Sequence, residues 1–119
     1  MPKKYKLLKD DYIETLDKKL YRIQALRDFG VIKEGEIGGY IEREDNLSHE
    51  DNAWVFGNAK VSDNAKVSGD AWVFGNAKVS GNAKVSNNAK VSGGAEVFGD
   101  AWVFDNANVY SKIDDNADK

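Results

Sequence analysis

The chain has 119 residues, enough for one domain, with 41% apolar residues, no cysteine and a formal net charge of −3. These values exclude a disulfide scaffold and a thiolate metal site, and they leave no basic footprint of the kind that nucleic-acid binders carry. No apolar run approaches the ~18 residues of a membrane-spanning helix, and no apolar segment follows the basic start Met1-Pro2-Lys3-Lys4, so a soluble, cytoplasmic protein is expected.

Residues 1–30 come first. Lys6-Leu7-Leu8 and Leu20-Tyr21-Arg22-Ile23-Gln24-Ala25-Leu26 read as strands, joined by a polar link around Leu16-Asp17-Lys18-Lys19. A hairpin or short β-sheet is expected here, acting as an N-terminal cap on the rest of the chain.

From residue 53 the sequence is governed by one period. Valine recurs every six residues from Val55 to Val109, and alanine precedes each by two, from Ala53 to Ala107. A fixed period outranks other local signals. Six residues do not match the 3.6-residue return of an α-helix face. Each hexad is half strand and half turn. In Trp72-Val73-Phe74 the valine faces one way and its neighbours the other. Gly75-Asn76 are turn formers that accept left-handed backbone angles, and Ala77 fits a tight corner. Three such sides make a triangular coil of 18 residues, and successive coils stack at about 4.8 Å. The expected fold class is therefore all-β, a single-stranded parallel β-helix.

Extending the period backwards places Val31, Ile37, Arg43 and His49 on the valine frame, and Gly35, Ile41 and Leu47 on the alanine frame. The β-helix is thus expected over residues 31–113, about four and a half coils, with a bulge or cap where Arg43 and His49 replace aliphatics. Residues 114–119 form a polar, acidic end suited to blocking further strand pairing.

Positions 18 apart share a column. Trp54 stacks on Trp72 and Phe56 on Phe74, and all four are expected to point outward from one face. Lys60, Ser62, Lys78 and Ser80 lie on another face. Lys66, Ser68, Lys84 and Ser86 lie on the remaining one, which ends in Trp102 and Phe104. Aromatics clustered on a soluble surface mark an interface. Trp54, Phe56, Trp72 and Phe74, with Trp102 and Phe104 as a complementary side, are the candidate contact residues. Rings folded over the coil to shield its backbone are the competing reading. The Lys–Ser columns read chiefly as solubilising faces.

The Val-x-x-x-Ala-x pattern resembles the hexapeptide-repeat, LpxA-like β-helix family, and that resemblance implies a left-handed coil. Arg27-Asp28-Phe29-Gly30, Gly38-Gly39-Tyr40-Ile41-Glu42 and Asn46-Leu47-Ser48-His49-Glu50, together with the Asn-Ala-x-Val array beyond them, are similar to the YdcK-like proteins of bacteria and prophages. Those proteins are commonly described as acyltransferases. Such enzymes use a histidine as general base and a coenzyme A thioester, and His49 is the only histidine here. Glu44, Asp45, Glu50 and Asp51 are near enough in sequence to orient it. The repeat carries no long loop to build an acceptor pocket, so His49 reads better as a hydrogen-bonded residue at an imperfect corner. With one histidine and no cysteine, no metal or cofactor is expected. The reading reached is a non-enzymatic homo-oligomer, dimer or trimer, acting by protein–protein contact. The resemblance suggests a phage-encoded inhibitor of a host system as one form. The alternative is an acyltransferase based on His49.

Overall fold

The computed structural model describes residues 3–15 and 18–110, and the backbone of Lys112–Ile113. Leu16 and Asp17 of the expected link, and the acidic end 114–119, lie outside the described residues.

Two long strands, β1 (Tyr5–Thr15) and β2 (Lys18–Ala25), pair as an antiparallel hairpin, with a register shift between Leu8 and Tyr12. β3 (Ile37–Ile41) then pairs antiparallel with β2 on one side. On its other side it pairs parallel with β5 (Lys60–Val61). A single 3₁₀ turn, Glu44–Asn46, comes after β3.

Two-residue strands then recur six apart. They are β4 (Trp54–Val55), β5, β6 (Lys66–Val67), β7 (Trp72–Val73), β8 (Lys78–Val79), β9 (Lys84–Val85), β10 (Lys90–Val91), β11 (Glu96–Val97), β12 (Trp102–Val103) and β13 (Asn108–Val109). The last strand, β14 (Lys112–Ile113), comes only four residues later. These strands form three sheets, ordered β1-β2-β3-β5-β8-β11-β14, β4-β7-β10-β13 and β6-β9-β12. Every third strand stacks in parallel on its counterpart, as in Val55↔Val73 and Val67↔Val85. The fold is a parallel β-solenoid of about four turns, with the hairpin continuing its first sheet.

The interior results from pleating. All valines from Val55 to Val109 and all alanines from Ala53 to Ala101 are buried. Corners are held by bonds such as Ala65 N to Ser62 O (3.2 Å), and coils by bonds such as Lys66 N to Ala83 O (3.0 Å). The first residue of each corner takes a left-handed backbone. Gly81 has φ 68°, while Asp63 and Asn87 occupy the equivalent site at 59° and 58°. Side chains at these corners also form ladders. Asn64 donates to Asn82, and Asn82 to Asp100, both at 3.3 Å.

The first coil departs from the expected frame. Ile41 pairs with Val61 and Leu47 bridges to Val67, so each is 20 residues from its partner, whereas Val55 is 18 from Val73. Two additional residues sit in the corner between Leu47 and Ala53. Ile41 and Leu47 therefore occupy the interior sites, 0% and 1% exposed, while Ile37 is exposed and Arg43 and His49 lie outside the valine columns. Val31, also expected on the frame, is exposed and precedes the first stacked strand. Aliphatic burial selects this shifted register, because the expected one would put Arg43 inside.

The hairpin and the segment after it close this end of the core. Tyr5, Ile23, Phe29 and Ile32 join the buried cluster around Trp54. Gly38 permits this approach, since a Cβ there would lie 2.6 Å from Val55 O and 2.8 Å from the Trp54 ring. Lys4 is fully buried and donates to the carbonyls of Ala53 (2.7 Å), Asp51 (3.3 Å) and Glu50 (3.4 Å). Tyr5 Oη donates to Leu47 O at 2.6 Å and lies 2.9 Å from Glu44 O. These carbonyls have no preceding coil to pair with, and the cap supplies the donors instead. Among the described residues, every buried side-chain nitrogen and oxygen is hydrogen-bonded.

Candidate interaction surface

On the β6-β9-β12 sheet the valines turn inward and their neighbours turn outward. Each row begins with a long side chain and ends with a shorter one: Lys66 and Ser68, Lys84 and Ser86, Trp102 and Phe104. The lysine stems form a ridge, and the serines leave a trough beside it. A groove of about 530 Å³ results, with Asp45 and Ser48 at one end and Trp102 and Phe104 at the other. The two rings meet edge-on, with centroids 6.5 Å apart and planes at 86°. They are 60% and 47% exposed, among the most exposed large apolar groups described. Lys84 Nζ lies 5.5 Å from the Trp102 ring centre, within cation–π range.

The corner next to this sheet, on the serine side, is acidic. Asp51, Asp70 and Asp105 line it, interleaved with Asn87 and Asn88. Asp105 accepts from Asn87 Nδ2 at 3.1 Å, and Asp70 from the Asn52 amide at 3.3 Å.

The β4-β7-β10-β13 sheet carries the other candidate aromatics. Trp54, expected to point outward, is not a contact residue. It is completely buried, with Phe29 edge-on at 5.2 Å and Tyr5 at 6.2 Å, because the cap packs over its row. Phe56, Trp72 and Phe74 are half-buried in a mutual cluster. Phe56 meets Trp72 edge-on at 5.3 Å and Phe74 at 6.3 Å, and Lys90 Nζ covers Trp72 at 5.4 Å. Their rings fold against one another along the coil, which leaves Trp102 and Phe104 as the aromatic pair with least cover.

His49 is tied into the cap. Its Nδ1 accepts from the Lys4 amide at 3.1 Å, its Nε2 lies 3.0 Å from Glu44 Oε1, and its ring stacks on Tyr5 at 4.1 Å. An accepting Nδ1 requires the proton on Nε2, which then donates to the Glu44 carboxylate. Neither nitrogen keeps a free lone pair for a substrate proton. Hydrogen bonding from Lys3, and then from His49, holds the Glu44 carboxyl below its ordinary range against the opposing effect of partial burial. Burial and the nearby Arg27 lower the Lys4 ammonium to about 8, against opposing attraction from Asp51 and Asp70. Burial, with Glu44 and Asp45, pushes the Tyr5 phenol well up.

The remaining sheet is basic. Arg22 stacks over Tyr40 at 4.3 Å and donates to its hydroxyl at 2.5 Å. Lys60, beside Tyr40, is lowered by burial and by the charges of Lys78 and Arg22.

Sequence reading missed the Lys4–Tyr5–Glu44 cluster, since nothing in a lysine near a chain start signals burial. The column Asp70, Asn88 and Asn106 reads in sequence as an ordinary ladder of stacked turns, and its junction with Asp51 and Asp105 into an acidic corner was missed. The chain matches no protein-family model and no curated protein. Among the described residues no helix is long and apolar enough to cross a membrane.

Proposed function

We propose that this chain is a non-enzymatic interaction module of the left-handed hexapeptide-repeat type, which self-associates and acts by protein–protein contact. The observation that carries this reading is the exposure of Trp102 and Phe104 at the end of an apolar groove on a flat sheet. Exposed aromatics on a rigid surface lose little conformational freedom on docking and are frequent interface anchors. The resemblance to prophage proteins suggests, as one form of this reading, a phage-encoded inhibitor of a host system in the bacterial cytoplasm, where a cysteine-free chain needs no oxidising compartment.

An acyltransferase reading would need His49 as general base. The engagement of both ring nitrogens, Nδ1 with an amide and Nε2 with Glu44, counts against it.

Light scattering on the wild type and on the Trp102→Ala/Phe104→Ala variant tests the proposal. The expected result is an oligomer for the wild type and a folded monomer for the variant. A wild type that stays monomeric at high micromolar concentration removes self-association. Saturable binding of coenzyme A, lost in His49→Ala, would favour the enzyme instead.

A further inference from the structure

Resting on the self-association reading, we propose that the β6-β9-β12 face pairs with the same face of a second copy, around a two-fold axis parallel to the solenoid axis. That axis keeps the coils in step and reverses the strand direction. Each row then meets its own row backwards. Lys66 opposes Ser68, Lys84 opposes Ser86, and Trp102 opposes Phe104 of the second copy.

Three features of the face favour this arrangement. The first is shape: the lysine ridge of one copy enters the serine trough of the other, so one surface is complementary to itself, as a two-fold contact demands. The second is charge. With the coils in step, Lys66 extends toward the corner that holds Asp70, and Lys84 toward the Asn87–Asn88 corner, with Asp70 and Asp105 one coil to either side. The alternative two-fold axis, along the strands, inverts the order of the coils and, centred on the middle row, sets Lys84 against Lys84, which is disfavoured by repulsion. The third is the aromatic row. Trp72 and Phe74, the same Trp-Val-Phe motif, are packed edge-on against Phe56 of the adjacent row, whereas Trp102 and Phe104 have Lys84 and Ser86 beside them. A second copy supplies the missing aromatic neighbours.

The test exchanges ridge and trough. Ser86→Trp fills the trough and should yield a monomer by sedimentation equilibrium. Lys84→Ala/Ser86→Trp moves the bulk to the other side of the row and should regain the dimer to within about tenfold of the wild-type affinity. Both positions are on the surface, and circular dichroism checks that the variants fold. The corresponding change one coil earlier, Lys66→Ala/Ser68→Trp against Ser68→Trp, provides an independent pair with the same expected pattern. Raising salt from about 0.05 M to 0.5 M should weaken the dimer by about tenfold or more, because the lysine–aspartate contacts are screened. A wild-type monomer defeats the self-association reading itself. A wild-type oligomer that ignores Ser86→Trp and Ser68→Trp overturns this face alone, as does an oligomer that both singles break and neither double restores.

Discussion

Lys4 and Tyr5 show how a single side chain can shape the pH response of the whole chain. Lys4 has a folded pKa of about 8 against an ordinary value of 10.5. Below pH 8 it is charged in both states, and the cost of burying the ammonium is present in full. Between about pH 8 and 10.5 the unfolded chain holds a proton that the folded chain releases, so this group makes stability rise with pH. Tyr5 acts in the opposite sense. Its folded pKa is raised above 10, so stability is lost once the unfolded phenol ionises above about pH 10. Urea midpoints measured from pH 7 to 11 should climb to a maximum near 10 and then fall. Lys4→Met should flatten the climb and Tyr5→Phe the decline. A wild-type midpoint that drops between pH 8 and 10 would contradict this assignment.

The tryptophans give a second comparison at the residue scale. Trp54→Ala should cost about 3–5 kcal/mol, because the ring is buried beneath the cap. Trp102→Ala should cost within about 1 kcal/mol in a monomeric sample, since that ring is exposed. Chemical denaturation of both variants checks the contrast. The three Trp-Val-Phe motifs read alike in sequence, so the valine between each pair could be placed inside from period alone. Whether a flanking ring is covered depends on residues such as Tyr5 and Phe29, about 50 and 25 positions away from Trp54.

Among the elements, the corners are the most legible. A Gly, Asn or Asp at the first corner position announces a left-handed backbone, and the structure has one there in every coil. The sites still differ in their surroundings. A Cβ on Gly81 would come 2.8 Å from the Gly99 amide, whereas one on Gly57 would meet nothing within 4 Å. Gly81→Ala should therefore cost at least about 1–2 kcal/mol, combining left-handed strain with backbone crowding. Gly57→Asn should be within about 0.5 kcal/mol of neutral, since Asn tolerates this conformation. Thermal melts of the two variants distinguish them. The first coil was less legible because both frames carry aliphatics there. Ile37 and Ile41 are four apart, and only the exclusion of Arg43 from the interior decides between them. The hairpin strands were readable, but their continuation into the first sheet depends on Tyr21↔Ile41 pairing, a contact that no local pattern encodes.

For the whole molecule, the 18-residue columns made the surface readable from the sequence. The lysine, serine and aromatic rows all fall where the period puts them. The period could not foresee the closure of one end, because Lys4, Tyr5 and Phe29 belong to no repeat. That closure removes Trp54 from the exposed aromatics and leaves Trp102 and Phe104 as the more accessible pair.

The parallel register also makes the length of the solenoid a separable variable. Excising residues 78–95 joins Ala77 directly to Glu96 and preserves the alternation of corner and strand. Glu96 then stacks on Lys60, Trp102 on Lys66 and Phe104 on Ser68. The shortened chain keeps its cap and its terminal aromatic pair, brought about 4.8 Å closer together. Gain or loss of a single coil would thus reset the distance between these two ends without redesigning either, much as removing a link shortens a chain whose clasps stay the same.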